Sequence, residues 1–213
     1  AHRHQVDTDA VVLVHALGQF QFGADAVGGR HQYRLGDAVE VRLIEDGVAE
    51  SIREWQPHIL ALSSVSQNYN LAKSYAELGR EAGIPVVVGG YHITELPSTL
   101  TPAMTVGVLG EGEYALVELV ELYREHGALP PAKLADIEGL TYWDGEERVT
   151  TPPREVVGKK EKNLDMLPMA DRSMMRVRPH SNMLTSRGCP YNCTFCASTR
   201  FWPNIRYFSP EYM

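Results

Sequence analysis

The stretch Ile84-Pro85-Val86-Val87-Val88-Gly89-Gly90 is an apolar run that passes directly into a pair of glycines. A run without polar alternation is typical of a strand in a parallel sheet, because helices cover both faces of such a sheet. Four more β-rich runs are separated from it and from one another by helix-like segments: 10–14, 38–44, 59–65 and 105–109. The alternation predicts an α/β fold with a doubly wound, Rossmann-like or flavodoxin-like parallel sheet of five strands.

The helical segments carry apolar residues at helical spacing. After the third strand, Leu71, Tyr75 and Leu78 share one face of a predicted helix, which we expect to be its buried face. After the fifth strand, Gly110-Glu111-Gly112-Glu113 opens another helix. The positive end of a helix dipole is sufficient to explain acidic residues at that position.

The pattern changes after residue 130. Residues 139–151 contain a Trp143-Asp144-Gly145 turn and predict a two-stranded hairpin, and residues 152–178 read as a linker. Residues 180–186 predict a short strand whose carboxyl end leads into the cysteine-rich segment, as in barrel enzymes. We therefore expect a first domain over residues 1–130, a hairpin and linker over 131–178, and the start of a second domain over 179–213.

Length and composition restrict the function. The 213 residues are enough for one domain of about 150 residues and part of another. The net charge of −7 argues against a nucleic-acid partner, which would require concentrated positive charge. The sequence has no apolar run of about eighteen residues for a membrane span, and residues 1–5 lack the apolar core of a signal peptide. We expect a cytoplasmic protein without a membrane partner.

All three cysteines fall within Cys189-Pro190-Tyr191-Asn192-Cys193-Thr194-Phe195-Cys196. A disulfide framework is not expected, because an odd number of cysteines leaves one thiol over. A structural zinc site would need a fourth ligand, and His180 has no standard finger spacing to Cys189. Iron–sulfur clusters are held by cysteine thiolates, and three of them leave one iron of a [4Fe–4S] cluster open. The cluster is the favoured prediction, with zinc as the alternative.

The spacing C-x3-C-x2-C, with an aromatic residue before the last cysteine, resembles the signature of the radical S-adenosylmethionine (SAM) superfamily. The resemblance implies that Cys189, Cys193 and Cys196 hold a [4Fe–4S] cluster and that Phe195 lies near the SAM adenine. In that superfamily the open iron chelates SAM, and one electron from the cluster cleaves SAM to a 5′-deoxyadenosyl radical. An electron donor such as flavodoxin or ferredoxin is implied as a partner.

Three further motifs appear in the same order as in one group of that superfamily. They are Val88-Gly89-Gly90-Tyr91-His92, Gly110-Glu111-Gly112-Glu113 and 163–168, followed after the cysteines by 206–211. The chain thus resembles the N-terminal part of a radical SAM protein with a cobalamin-binding domain, cut early in the barrel. The resemblance implies cobalamin contacts at the ends of the strands, from Ser63, Ser64, Ser66, Gly89, Gly90, Gly110, Glu111 and Gly112. A tight turn remains the alternative reading of Gly89-Gly90.

His15 is the only candidate for a lower ligand of cobalt. The cobalamin motif D-x-H-x-x-G is matched at His15 and Gly18, but Leu13 stands in place of the aspartate that would orient the imidazole. An ordinary histidine at a strand end is therefore the favoured reading of His15, and cobalt ligation is the alternative.

The resemblance predicts an enzyme that methylates or otherwise remodels an unreactive carbon of a small-molecule substrate, with methylcobalamin as methyl donor. One alternative is a radical SAM enzyme with a vestigial cobalamin domain that performs cyclisation, rearrangement or sulfur insertion. Another alternative is a cobalamin-binding module without turnover of its own.

Overall fold

The fold is taken from a computed structural model that describes residues 10–16, 39–44, 47–160, 163–167, 183–202 and 204–213. Five parallel strands lie side by side in one sheet. They are β1 (Ala10–Ala16), β2 (Val39–Ile44), β3 (Ile59–Ser63), β4 (Val86–Gly89) and β5 (Val106–Val108). Their order is β2-β1-β3-β4-β5, which is the flavodoxin-like order of a doubly wound sheet. The predicted fold class is confirmed.

The hairpin predicted over 139–151 extends this sheet. Strand β6 (Leu140–Asp144) pairs antiparallel with β5, and β7 (Glu147–Thr150) pairs antiparallel with β6. Gly145 occupies the turn with a φ of 62°, a conformation that glycine adopts without steric cost. Within the part of the chain that the structure describes, the sheet therefore has seven strands, and its last two strand pairings are antiparallel.

Six α-helices lie among the described residues. They are α1 (Val48–Trp55), α2 (Tyr69–Glu81), α3 (Tyr91–Glu95), α4 (Glu113–His126), α5 (Pro131–Leu134) and α6 (Ser198–Phe201). Short 3-10 turns at Ser66–Asn68 and Pro97–Thr99 precede α2 and follow α3, respectively. Among the described residues, none of the helices combines the length and the apolar character that crossing a bilayer requires.

Both faces of the sheet are buried, which explains the continuous apolar runs. Ile59 and Ala61 of β3 belong to a core cluster that includes Leu119 of α4. Leu60 and Leu62, which alternate with them, belong to a second cluster that includes residues of α1 and α2. Alternate side chains of a strand point to opposite faces, so β3 contributes to both cores, as does β4 through Val87 on one face and Val86 and Val88 on the other.

The predicted buried face of α2 is confirmed only in part, because Tyr75 and Leu78 are partly buried and pack against the core but Leu71 does not. Leu71 is 43% exposed, whereas the small residues Ala72, Ala76 and Gly79 are buried against the sheet. A Cβ atom on Gly79 would lie 2.5 Å from Cγ2 of Val86, which shows how closely the helix approaches β4. Only small residues fit where α2 approaches β4 so closely. A prediction based on the spacing of large apolar residues therefore misses this part of the buried face.

The cysteine-containing part begins with a short ribbon. Strand β8 (Ser186–Arg187) pairs antiparallel with β9 (Arg206–Tyr207). The strand predicted over 180–186 overlaps β8 only at Ser186, and its residues 180–182 lie outside the described residues. Pairing within 183–202 and 204–213 is antiparallel, so the start of a parallel radical SAM barrel stays a prediction.

Candidate functional site

The carboxyl ends of the parallel strands form one edge of the sheet, where ligands bind in doubly wound folds. Ser63 at the end of β3 is in register with Gly89 at the end of β4 and with Ala16 at the end of β1. Ser63 and the next residue, Ser64, are both buried. His15 lies in β1 in register with Leu62, so its backbone is also close to this edge. We call this region the carboxyl edge.

Gly90 brings the loops after β3 and β4 into close contact. Its φ of 96° and ψ of −175° lie in a region that is essentially restricted to glycine. A Cβ atom at this position would be 2.5 Å from the carbonyl oxygen of Ser64. The same carbonyl accepts a hydrogen bond from the backbone N–H of His92 at 3.3 Å. The tight-turn reading of Gly90 therefore has a physical cause within the fold itself.

His92 and the serines add polar groups to the carboxyl edge. The His92 ring is buried, stacks on Tyr69 at 3.8 Å between ring centroids, and contacts Ser66 Oγ through Nδ1 at 3.0 Å. Burial, with a smaller contribution from Lys73, lowers the pKa of His92. His92 Nε2 and Ser64 Oγ are buried and have no hydrogen-bond partner among the described residues. Buried polar atoms are usually hydrogen-bonded, so these two suit a ligand with polar groups.

The glycines around Glu111 have local structural roles. Gly110 has a φ of 78°, and its N–H donates to Thr94 Oγ1 at 3.0 Å. Gly112 is the residue immediately before α4. The segment therefore joins the end of β5 to α4 by a turn that also contacts α3.

The three cysteines are free thiols on one loop. Cys193 is exposed, whereas Cys189 and Cys196 are partly buried. Cys196 Sγ contacts Ser198 Oγ at 3.3 Å, and hydrogen bonds from Ser198 lower the pKa of the Cys196 thiol. Among the described residues, no three His, Cys, Asp or Glu side chains converge into a metal-binding group. The cluster and its ligands therefore stay a prediction, as does the SAM contact of Phe195, whose ring is 91% exposed.

The beginning of the cysteine loop is joined to the carboxyl edge by a buried network of charges. Arg187 Nη1 donates to Glu111 Oε1 at 3.2 Å, and Arg187 Nη2 pairs with Glu113 Oε1 at 2.5 Å. Arg206 Nη1 donates to Glu111 Oε2 at 2.8 Å and to the carbonyl of Val157 at 2.6 Å. We call Glu111, Glu113, Arg187 and Arg206 the Glu–Arg network.

The sequence did not reveal this network. The helix dipole was a sufficient explanation for both glutamates, yet their carboxylates have specific partners far away in the sequence. Arg206 was not singled out, although it is 0% exposed. Burial opposes the charge of Arg187, but Glu113 and Glu111 outweigh it and raise the pKa of Arg187 above its ordinary value. The available signal was the balance of two acids after β5 and two arginines on either side of the cysteines.

The end of the cysteine loop contacts the same edge through aromatic rings. Tyr91, which follows Gly90, lies 3.9 Å from Phe201 and 5.4 Å from Trp202 between ring centroids. Burial, with smaller effects of Cys196 and Glu95, raises the pKa of Tyr91 to about 12. The cysteine loop is thus held at both ends beside β4 and β5.

Comparison with known proteins agrees with this geometry. Residues 15–120 match the family described as the B12 binding domain, so this part of the chain is similar to domains of that class. This match covers β2 to β5 but only the last two residues of β1. The Cys189–Cys196 segment lies beyond it.

Three relatives illustrate the wider similarity. The chain is 29% identical over 185 residues to an uncharacterized methyltransferase of Pyrococcus horikoshii, covering 83% of this chain and 39% of that protein. It is 28% identical over 206 residues to an anaerobic magnesium-protoporphyrin IX monomethyl ester cyclase of Cereibacter sphaeroides, covering 89% and 32%. It is 29% identical over 175 residues to the cobalamin-dependent radical SAM methyltransferase TokK of Streptomyces tokunonensis, covering 73% and 23%. The chain spans less than two fifths of each relative.

The close contact at Gly90 gives a stability prediction. We expect Gly90→Ala to lower the free energy of unfolding by about 2–3 kcal/mol, because it adds backbone strain and a contact with the Ser64 carbonyl. Gly127→Ala is the matched control, since Gly127 has a φ of 64° but open space around its Cβ position. It should cost about 1 kcal/mol. Urea unfolding of both variants measures the difference, and equal losses would contradict the close contact.

Proposed function

We propose that the chain binds cobalamin at the carboxyl edge and a [4Fe–4S] cluster at Cys189, Cys193 and Cys196, within a radical SAM enzyme that methylates an unreactive carbon. The observation that carries the proposal is the position of the cysteine loop. It contacts the ligand-binding edge of a domain that is similar to the B12-binding class at both of its ends. Two cofactor sites that act in sequence have to be neighbours, and the contacts of the cysteine loop with this edge support such an arrangement.

The names of the relatives favour methyl transfer. One is named a cobalamin-dependent radical SAM methyltransferase and another an uncharacterized methyltransferase. A cyclase is the second candidate, because the match to the Cereibacter sphaeroides protein covers the larger share of this chain. In that case the first domain would be vestigial for cobalamin, or cobalamin would serve a different reaction.

The residues of the carboxyl edge are suited to hold a large polar ligand. Ser64 Oγ and His92 Nε2 are buried and unpartnered among the described residues, so each is free to form a hydrogen bond with the ligand. Ser63 and Ser66 extend the row of hydroxyls from the end of β3. Gly89 and Gly90 present backbone without side chains. Cobalt ligation by His15 remains an alternative to a role in the strand alone.

The cysteine loop is suited to hold the cluster as thiolates. A lowered pKa makes the Cys196 thiol a better thiolate donor, and the exposed Cys193 is accessible to incoming iron. When bound, the cofactors supply the radical and methyl-transfer chemistry, while the protein orients them and excludes water. Phe195, also exposed, is the residue we assign to the SAM adenine. A small-molecule substrate and a flavodoxin or ferredoxin as electron donor complete the proposal.

Cobalamin binding tests the first half of the proposal. We expect the purified chain to retain hydroxocobalamin at about one equivalent after desalting, measured by visible absorption. Ser64→Ala should weaken the affinity about fivefold, because one hydrogen bond of about 1 kcal/mol is lost. Ser74→Ala is the control, since Ser74 lies exposed on α2 and its hydroxyl donates to the Asn70 carbonyl.

No retention by the unmodified chain would contradict cobalamin binding and favour the enzyme with a vestigial first domain. Retention without any cluster would favour the cobalamin-binding module. Equal effects of Ser64→Ala and Ser74→Ala would place the ligand away from the carboxyl edge.

Cluster assembly tests the second half. After anaerobic incubation with iron and sulfide, we expect about four irons per chain and, on reduction, an electron paramagnetic resonance signal that changes when SAM is added. Cys193→Ser should lose most of the iron, whereas Ser198→Ala, which keeps all three thiols, should retain it. Stoichiometric zinc with no iron uptake would instead support the zinc site.

A further inference from the structure

The Glu–Arg network has a position that suggests a task beyond stability. Arg187 lies two residues before Cys189, and Arg206 is its register partner across the β8–β9 ribbon. Glu111 lies just after β5 and accepts hydrogen bonds from both arginines. We propose that this network fixes the cysteine loop over the carboxyl edge, with Glu111 as the positioning residue. The inference rests on the proposed function only in regarding the loop as the cluster site.

The position of Arg187 is transmitted directly to Cys189. Gly188, the one residue between them, has a φ of 99°. A Cβ atom on it would lie only 1.9 Å from the Asn204 carbonyl oxygen, so the strand into the loop and the strand out of it are in tight contact. Because the ribbon has so little free space, a shift of Arg187 or Arg206 moves the start of the loop with it.

The hydrogen bonds of Glu111 show that its carboxylate holds the cysteine loop and is not available to a ligand. Both oxygens of Glu111 are already engaged, Oε1 by Arg187 and Oε2 by Arg206 and by the N–H of Val157 at 2.8 Å. The Glu111 side chain is only 3% exposed. A carboxylate in this condition has little capacity left for cobalamin. The predicted role of Glu111 as a cobalamin contact is therefore replaced, in this proposal, by a role in holding the neighbouring loop.

The balance of buried charges makes the position of the ribbon depend on every member of the Glu–Arg network. Two glutamates face two arginines, and removing one partner from a buried ion pair leaves the other charge uncompensated. Arg206 is fully buried, and its Nε and Nη2 have no partner among the described residues. Loss of the Glu111 charge would leave Arg206 without an anionic partner among the described residues and with neutral acceptors such as the Val157 carbonyl. The ribbon would then separate from α4 so that Arg206 could reach water, and the cysteine loop would move with it.

The test uses the thiols of the whole, cluster-free chain. Glu111→Gln is compared with Glu118→Gln, which removes a carboxylate of α4 that pairs with Arg154 away from the cysteine loop. Iodoacetamide labels each cysteine, and mass spectrometry follows the rates separately. We expect Glu111→Gln to raise the labelling rates of Cys189 and Cys196 at least about threefold, because both are partly buried. The exposed Cys193 serves as the internal reference, and Glu118→Gln should leave all three rates unchanged.

A second variant covers the case in which Glu111→Gln does not fold. Glu113→Gln removes only the pair with Arg187, so it should raise the rate at Cys189 more than at Cys196. Unchanged rates in the folded Glu111→Gln protein would overturn the proposal, even if its melting temperature fell, because that would show a role in stability alone. Loss of hydroxocobalamin retention with unchanged thiol rates would also overturn it and assign Glu111 to the ligand. None of these readouts requires a cluster, so failure of cluster assembly in the unmodified chain would count against the proposed function only.

Discussion

The double ion pair at Glu111 is the interaction on which the arrangement of the site depends. One carboxylate, placed by the end of β5, receives a guanidinium from each strand of the β8–β9 ribbon. Its position is set by the sheet, and the positions of Arg187 and Arg206 are set by the ribbon. Because these charges are buried, only a narrow set of relative positions leaves them paired. The ion pairs therefore fix the position of the cysteine loop relative to the sheet.

The sheet contributes the other half of the site by bringing distant residues to one edge. Parallel strands with helical crossovers all end at the same side, so Ser63 and Gly89 become register partners although they are far apart in sequence, and Glu111 follows the next strand at the same edge. Gly90 then draws the loops after β3 and β4 together, and Tyr91 presents its ring to Phe201. Polar atoms without partners among the described residues, at Ser64 and His92, remain at this edge. The edge thus combines a row of hydrogen-bonding groups with a loop of metal-binding groups.

Much of this fold was predictable from the sequence, because buried parallel strands have a strong and local signal. Residues 59–65 and 84–90 contain β3 and β4, and the hairpin over 139–151 contains β6 and β7. The buried face of α2 was only partly predictable from periodicity: Tyr75 and Leu78 pack against the core, but close helix–sheet contact favours Ala76 and Gly79 over Leu71. The cysteine loop was visible because its spacing is local. The Glu–Arg network was not visible in the sequence, because its ion pairs join residues about 75 to 95 positions apart. Only the folded structure brings these residues into contact.

The central claim is that the carboxyl edge and the cysteine loop form one site with two neighbouring cofactors. Electron paramagnetic resonance of the chain loaded with both cob(II)alamin and a reduced cluster tests this most directly. Dipolar coupling between two unpaired spins falls with the cube of their distance, so neighbouring cofactors broaden each other's signals and shorten their relaxation times. We predict such coupling in the unmodified chain. A spectrum that is the simple sum of the two separately loaded samples would contradict the claim.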